Sequence, residues 1–436
     1  MNSDPAAPVA ILPARRERTM LITLAAVQFT NIMDFMIMMP LGAQLMEVFA
    51  INPTQFSRLV AAYGLAAATS GFAGGFVLDR FDRKRALMVM YAAFAVATLA
   101  CALAPTYLTL LLARVAAGAC GGLVGSILTA MVGDVIPPER RGRAMSVVMS
   151  SFPLASIFGV PVGIMLATAF EWHAPFMLLA ASSAIIWPVA ARVLPAVPSH
   201  KSAQSPLAQM RVILFHPIHR RGLALGAMLV FAGASIVPFM APSMVLNVGV
   251  SETQLPLIYL AGGVCTFFSM PFLGRMTDRF DKWHVLLVTT IPAALSVFIL
   301  THLPAVPLPI ALAVAALFFV GMSGRFPPTM AMITNAVEDR YRGGFMSVIS
   351  AVQQAAAGVA SITAGLLVST SANGRLVGYP RAGYVSLTAF VITVWLGWRL
   401  RQIAPFAARN PATNHVAAAT PPSAGPAANA VDDPTR

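Results

Sequence analysis

The feature that most constrains this chain is a series of long apolar stretches that are almost free of charged residues. Of its 436 residues, 58% are hydrophobic and only 10% are charged, whereas a soluble protein carries about 25% charged residues. An apolar run of about 20 residues is long enough to cross the hydrocarbon core of a bilayer, which is about 30 Å thick. The sequence therefore predicts an all-α integral membrane protein and excludes a soluble fold.

The ends of the apolar stretches predict twelve transmembrane helices. An even number of spans places both termini on one side of the membrane. Lys and Arg gather in the two tails and in the loops of that side, while the opposite side has only Arg58, Arg375 and Arg381. Because cationic loops remain in the cytoplasm, we expect cytoplasmic termini in a bacterial inner membrane. This orientation accounts for the net charge of +13 without any binding to nucleic acid.

Two short motifs occur twice along the chain. The segment "FVLDRFDRKRAL" begins at Phe76 and resembles "RMTDRFDKWHVL", which begins at Arg275; "RGRAMSVV" at Arg141 returns as "RGGFMSVI" at Arg342. The offsets are 199 residues (275 minus 76) and 201 residues (342 minus 141). Such repeats predict two parallel, pseudo-symmetric six-helix bundles, as in transporters whose binding site lies between the halves at mid-membrane.

The domain organisation follows from these repeats and from local composition. Pro and Ser are frequent in a polar stretch near the middle of the chain, and the last segment is rich in Ala, Pro and Asn. Such a composition cannot bury enough apolar surface to fold. We expect a cytoplasmic tail at 1–18, a six-helix bundle at 19–194, a cytoplasmic linker at 195–220, a second bundle at 221–400 and a disordered tail at 401–436.

Asp34 is the only acidic residue deep inside a predicted helix. An ionised Asp at the bilayer centre costs about 2.5–3.5 kcal/mol, so such a residue is a candidate for function that faces a cavity or a partner. Thr30 and Asn31 share its helical face, and Met38, one turn further on, is placed to face the same cavity. Burial raises the pKa of a carboxyl and a nearby cation lowers it, so a carboxyl between these influences can bind and release a proton.

Arg114, in predicted helix four, is the expected partner of Asp34. The depths of the two residues in the membrane differ by about 5 Å at a rise of 1.5 Å per residue, which a long Arg side chain can bridge. The pair either couples proton binding to transport or is a permanent ion pair that only holds the helices together.

Arg325, in predicted helix ten, has no acidic residue in the helices of the second half to pair with. Pro327 and Pro328 follow it, so we expect the helix to break there and to leave backbone carbonyls free. Arg325 is a candidate for holding an anionic or hydroxyl-rich substrate group, or for binding those carbonyls.

The duplicated motif resembles the loop between helices two and three of the major facilitator superfamily, which reads approximately Gly-x-x-x-Asp-Arg-x-Gly-Arg-Lys. The matching residues are Gly75, Asp79, Arg80 and Arg83 in the first copy, and Gly274, Asp278 and Arg279 in the second. Asp82 and Asp281 stand where the family has Gly. We expect them to preserve the turn, because Asp tolerates a positive φ at modest cost.

Further motifs resemble the drug/sugar:proton antiporter branch, similar to arabinose-efflux permeases. In helix one, "NIMDFMIMMPLG" is similar to the Asn-x-x-Asp…Pro stretch of proton-coupled exporters, which implies that Asp34 and Arg114 couple proton movement to transport. Helix five carries Gly159, Pro161 and Gly163, which match the antiporter motif only in part, since antiporters have Gly-Pro followed by a Gly pair and Val160 here separates Gly159 from Pro161. "MSGRFPP" in helix ten is similar to the sequence of the same permeases.

The resemblance also implies a cytoplasmic gate built on the duplicated loop. Asp79 would lie near the N-terminus of a helix of the other half, where the helix dipole favours an anion. Arg83 would lie near Asp134, at the end of helix four. The second half has Asn335 where Asp134 would recur, so its contact should be weaker. The same residues also serve as a positive-inside anchor and a tight turn.

These features favour a secondary active transporter that exports small organic molecules, drug-like compounds or sugars, by alternating access coupled to protons. The alternatives are a facilitator or importer of sugars or similar solutes, and a non-transporting membrane sensor. The sequence has no nucleotide-binding loop, metal-ligand cluster or nucleophile–base set, so we expect no enzymatic activity, metal or cofactor. The expected partners are a small-molecule substrate, protons and the lipid bilayer, and the expected state is a monomer.

Overall fold

The computed structural model describes residues 13–77, 81–196 and 206–408. Within these ranges, eleven helical segments are long and apolar enough to cross a membrane. A further helix, Pro53–Val77, has 25 residues and packs lengthwise against two of them. These segments, eleven plus one, are the twelve long helices that the sequence predicts.

The first half of the described chain consists of α1 (Ala14–Ile37), α2 (Gly42–Val48), α3 (Pro53–Val77), α4 (Arg83–Ala102), α5 (Tyr107–Val135), α6 (Pro138–Met149), α7 (Ser151–Leu154), a π-helical turn (Ala155–Gly159), α8 (Val160–Phe170) and α9 (His173–Val193). Between the halves lies α10 (Pro206–Phe215). The second half consists of α11 (Pro217–Ala234), α12 (Val237–Ser243), a π-helical turn (Met244–Val248), α13 (Leu255–Arg279), α14 (Lys282–Thr301), α15 (Leu308–Gly324), α16 (Phe326–Asn335), α17 (Asp339–Leu367), β1 (Ser369–Thr370), β2 (Leu376–Val377), α18 (Tyr379–Ile403) and α19 (Pro405–Ala408).

The two halves use the same pattern of helix contacts. In the first half α1 packs on α9, and α4 packs on both α5 and α9; in the second half α11 packs on α18, and α14 packs on both α15 and α18. The contact of α3 with α5 is likewise matched by that of α13 with α15. The predicted pair of parallel, pseudo-symmetric bundles is thereby confirmed. The antiparallel hairpin β1–β2, which pairs Ser369 with Val377, is a small β element that the sequence analysis does not anticipate.

Asp82 and Asp281, at equivalent positions of the duplicated motif, have the same backbone conformation, but the predicted positive φ is wrong. Asp82 has φ −58° and ψ 125°, and its carboxylate accepts a hydrogen bond from Arg85 N at 2.8 Å. Asp281 has φ −60° and ψ 125°, and accepts from Trp283 N at 3.0 Å. Both aspartates are N-caps, of α4 and α14, and satisfy backbone N–H groups that have no partner inside the helix.

The tenth and fifth membrane-crossing segments are among those interrupted at proline-containing positions. α15 ends at Gly324 and α16 begins at Phe326, so Arg325 lies at the break that the sequence predicts. In the fifth segment, the π-helical turn Ala155–Gly159 precedes Pro161. Because proline lacks an N–H group, Pro161 cannot bond to the carbonyl four residues earlier, and the wider turn fits that gap.

The segment between the halves is more helical than its composition indicates. α10 lies inside the predicted linker, and α11 begins at Pro217, four residues before the predicted start of the second bundle (221 minus 217). Proline is favoured at the first position of a helix, where no N–H partner is needed. The predicted disordered tail begins within α18, and its residues 409–436 lie outside the described residues.

The two ends of the bundle differ in how the halves meet. We call the end that carries β1–β2 the hairpin end, and the end where α1 begins and α18 finishes the terminal end. At the hairpin end one apolar cluster contains residues of both halves; Phe56 and Phe239 have ring centroids 6.0 Å apart. Gln44 Nε2 donates to Glu252 Oε2 at 2.7 Å across the same junction.

Toward the terminal end, the apolar cores separate. One cluster, with Leu87 and Met131, draws its residues only from the first half. Another, with Ile333 and Leu400, draws its residues from α10 onward. The described chain is therefore joined across its halves at the hairpin end and has divided cores at the terminal end.

Candidate functional site

An ion pair between Asp34 and Arg114 lies inside the first bundle. Arg114 Nη1 donates to Asp34 Oδ2 at 2.7 Å and to the Asp34 backbone oxygen at 3.0 Å. Thr98 Oγ1 donates to Asp34 Oδ1 at 3.2 Å. Both charged side chains are 0% exposed. The site thus brings together α1, α4 and α5, and the carboxylate is compensated by one cation and one hydroxyl.

Tyr63, on α3, forms the second layer of contacts around this pair. Its ring centroid lies 4.6 Å from Arg114 Cζ, which is a cation–π contact. Its hydroxyl donates to Asn31 Oδ1 at 2.5 Å, and Asn31 Nδ2 donates to the Gly121 backbone oxygen at 3.0 Å. Tyr63 therefore links the guanidinium to the polar face of α1 and to α5.

The residue after Tyr63 lies at the junction between the halves. A Cβ atom added to Gly64 would lie 3.0 Å from the backbone oxygen of Gln354 in α17, which shows how closely α3 approaches that helix. The two helices pack extensively against each other. A displacement of Tyr63 would consequently change the packing of α3 against α17 of the second half.

Two of the predicted cavity residues and the environment predicted for Asp34 need correction. Asp34 does not face a chamber between the halves but is buried among the helices of the first bundle. The ion pair with Arg114 compensates its charge there. Thr30 is 1% exposed and shares a hydrogen bond of 3.0 Å with Tyr91. Met38 is fully buried in the apolar cluster of the hairpin end. Met38 keeps helical dihedrals, with φ −59° and ψ −37°, so the predicted cavity on this face fails because apolar side chains fill it at that level.

Arg325 is buried inside the second half with no carboxylate beside it among the described residues. Its guanidinium stacks on Phe390, with Cζ 4.1 Å from the ring centroid, and Nη2 lies 2.9 Å from Met322 Sδ. Nε and Nη1 have no hydrogen-bond partner in the described part of the chain. The alternative in which Arg325 binds freed carbonyls is not observed there, because its hydrogen bond is made to a thioether.

The duplicated loop lies at the terminal end. Arg83 Nε is 3.2 Å from Asp134 Oδ2, so the structure brings these two predicted gate residues together. In the second half, Asn335 Nδ2 instead donates to the Ala407 backbone oxygen at 3.5 Å. Asp79 and Arg80 lie outside the described residues. The remaining motif residues are Gly75 at the end of α3, and Gly274, Asp278 and Arg279 in the last turns of α13.

The helix-five glycines allow close packing against α1. A Cβ atom at Gly159 would collide with Met33, and one at Gly163 would collide with Ile37. Pro161 lies between them on the same segment. Met33 and Ile37 flank Asp34 along α1, so this motif fixes the helix that carries the buried carboxylate.

Tyr63 and Thr98 are the site residues that the sequence analysis missed. Each is a polar residue well inside a predicted membrane helix, and that position is the signal that could have identified them. Their distances from Arg114 and Asp34 depend on how α3 and α4 rotate about their axes. Neither residue is charged and neither belongs to a repeated motif, so the sequence did not distinguish them from the other polar residues of the membrane helices.

The comparison with protein families agrees with this architecture. The sequence matches the Major Facilitator Superfamily profile over residues 24–222 and again over 223–426. The two matches meet near the start of α11, where the second bundle begins. The chain therefore belongs to the Major Facilitator Superfamily, a family of multi-pass membrane transporters that handle small molecules.

Individual relatives are distant in sequence. The chain is 25% identical to an uncharacterised MFS-type transporter of Bacillus subtilis, over 81% of this chain and 90% of the relative. It is 23% identical to a probable sugar efflux transporter of Helicobacter pylori, over 57% of this chain and 64% of the relative. A bacterial homologue of the human lysosomal transporter Spinster has the same fold, with TM-score 0.72 and 15% identity over 92% of this chain and all of that one.

Proposed function

We propose that this protein is a proton-coupled exporter of small organic molecules that works by alternating access. The observation that carries the proposal is the fully buried Asp34–Arg114 pair. It consists of an acid, which can exist in charged and neutral forms, and a cation that cannot lose its charge at accessible pH. The name of the probable sugar efflux transporter of Helicobacter pylori supports the direction of export.

Protonation of Asp34 is the step that stores energy in the first bundle. With the carboxyl neutral, Arg114 becomes a buried charge without a counter-ion, which costs about 3–5 kcal/mol. Moving a two-state equilibrium from 1:99 to 99:1 requires about 5.5 kcal/mol. The two magnitudes are similar, so the ionisation of one carboxyl is sufficient to bias the transporter between two arrangements of its halves.

Tyr63 carries this bias to the junction of the halves. When Arg114 loses its anion, two attractions remain on the guanidinium: the hydrogen bond to the Asp34 backbone oxygen at 3.0 Å and the Tyr63 ring, 4.6 Å from Cζ. The tyrosine hydroxyl holds Asn31, and the next residue, Gly64, lies against α17. A shift of Arg114 toward the ring therefore acts on α3 and on its packing with the second half.

The joined hairpin end and the divided terminal end correspond to one of the two states of this cycle. Both termini lie on the cytoplasmic side in our proposal, so this state is open to the cytoplasm. Arg83 and Asp134 both belong to the first half and are paired at 3.2 Å in this state, so in our proposal the contact that closes this side is the one between Asp79 of the same loop and the other half. Opening of the other side requires the shared cluster around Phe56 and Phe239 to separate.

The test is transport by purified protein in proteoliposomes with an imposed pH gradient, over a panel of sugars and drug-like cations and anions. We expect the wild type to accumulate at least one compound against its gradient. Asp34→Asn should lose this accumulation and retain downhill exchange, because the amide still accepts a hydrogen bond from Arg114 but cannot bind a proton.

Glu171→Gln is the matched control, since it removes an exposed carboxylate near the hairpin end. It should transport like the wild type. If Asp34→Asn still accumulates the compound under a pH gradient, the proton-coupling role is wrong. If the wild type only equilibrates every compound, the protein is a facilitator.

A further inference from the structure

A groove between α14 and α18 opens on the outer surface of the second bundle. Its volume is about 600 Å³, and its walls include Trp283, Ile291 and Ala294 from α14 and Val391, Trp395 and Trp398 from α18. Apart from Thr290, its lining residues are apolar or aromatic. It is separate from the Asp34–Arg114 pair, which lies in the first bundle, and the proposed transport function does not use it.

Cations cluster where the groove meets the terminal end. Arg399 is exposed, and its Cζ lies 5.5 Å from the Trp395 ring and 6.0 Å from the Trp398 ring. Arg401 Cζ lies 5.4 Å from the Trp283 ring, and its Nη2 pairs with Asp281 Oδ2 at 3.1 Å. In the described chain, Arg399 has no carboxylate within ion-pair distance. The mouth of the groove thus presents one uncompensated guanidinium and a second that is partly neutralised.

The length of the groove matches one leaflet of a bilayer. From Trp283 to Ala294, α14 advances eleven residues (294 minus 283), or about 17 Å at 1.5 Å per residue. Half of a hydrocarbon core of about 30 Å is about 15 Å. Tryptophans at the mouth lie where aromatic residues mark the boundary between headgroups and acyl chains.

We propose that this groove is a binding site for one anionic phospholipid. One acyl chain lies along α14 and α18, and the phosphate group is held by Arg399 and Arg401 above the three tryptophans. Basic pockets between transmembrane helices are suited to acidic headgroups. A zwitterionic lipid can fill the apolar groove equally well, but its headgroup carries no net charge to balance Arg399.

Tryptophan fluorescence provides the test, because three of the five tryptophans of the chain line the groove. The full-length protein is placed in vesicles that contain brominated phosphatidylglycerol or brominated phosphatidylcholine with identical acyl chains. We expect stronger quenching by the phosphatidylglycerol at equal mole fraction. Arg399→Gln should weaken the relative affinity for the anionic lipid about fivefold, as expected for one basic side chain at a membrane surface.

Arg381→Gln is the matched control, because Arg381 is exposed on the same helix at the hairpin end. This substitution removes the same charge from the protein and should leave the preference for the anionic lipid unchanged. Ala294→Phe fills the groove and should reduce quenching by both lipids. Equal quenching of the wild type by the two lipids, or equal effects of Arg399→Gln and Arg381→Gln, would overturn the proposal.

Discussion

Each half of the described chain has one fully buried arginine, Arg114 or Arg325, and the two differ in what compensates their charge. In the first half, Arg114 pairs with Asp34 at 2.7 Å and stacks on Tyr63. In the second half, Arg325 stacks on Phe390 and contacts a methionine sulfur, with no carboxylate beside it in the described residues. In the described chain, each of the two guanidinium groups has two nitrogens without a hydrogen-bond partner.

In the transport cycle proposed above, this difference gives the two bundles different roles. The first half has a compensated pair whose balance changes when a proton binds, so it is suited to coupling. The second half keeps a positive charge that no proton movement on a neighbouring acid can cancel. Arg325 lies at the break between α15 and α16, where a change in helix geometry would redirect its guanidinium. We propose that it attracts an anionic or hydroxyl-rich substrate group when the break opens.

The largest expected effect is a difference in stability between two matched substitutions. Arg114→Met should lower the free energy of unfolding by about 3–5 kcal/mol, because it leaves Asp34 as a buried charge without a partner. Arg325→Met should leave stability unchanged or raise it, since it removes a buried charge that has no counter-ion. Thermal unfolding of both variants in the same detergent measures the difference.

The double substitution Asp34→Asn/Arg114→Met sharpens this comparison. It removes both charges and should recover most of the stability that Arg114→Met loses, because the penalty comes from the charge left behind. A double variant as unstable as the single one would contradict the ion-pair explanation. Equal losses of unfolding free energy for Arg114→Met and Arg325→Met would contradict the proposed difference in charge compensation between the halves.

An intermediate effect is expected for the ring that covers Arg325. Phe390→Leu should destabilise the protein by about 2 kcal/mol through the loss of a desolvated cation–π contact, in addition to the lost apolar packing. In an Arg325→Met background the same change should cost less, because only the packing is lost. Unfolding measurements on the four proteins of this cycle isolate the cation–π contribution, and a coupling energy near zero would refute it.

The smallest effect distinguishes the two copies of the repeated motif. Asp82→Ala and Asp281→Ala each remove an N-cap, which costs about 1 kcal/mol. Asp281 also pairs with Arg401 at 3.1 Å, so its loss should be the larger by a few tenths of a kcal/mol, the usual contribution of a partly exposed ion pair. Paired unfolding curves test this order, and a larger loss for Asp82→Ala would reverse it.

Parts of the site could be predicted because they depend on depth along a helix. The positions of Asp34 and Arg114 in their spans were enough to place the two side chains within reach of each other. The partnership of Tyr63 with Asn31 could not be predicted, since it depends on the rotation of α3 against α1. The burial of Met38 was also not predicted: its backbone stays helical, but its side chain is packed into the apolar cluster of the hairpin end, which depends on contacts with other helices.

The sequence by itself determined the number of long helices, their duplication into two halves and the presence of two arginines inside the membrane. These properties follow from the length of apolar runs, from repeated motifs and from the high cost of a charge in hydrocarbon, all of which are local or periodic along the chain. Only the tertiary structure decided that Asp34 is sealed within the first bundle, that Arg325 lies against Phe390 and that the apolar cores of the two halves merge at one end. These outcomes depend on contacts between residues far apart in the chain, and a periodic pattern along the sequence does not determine such contacts.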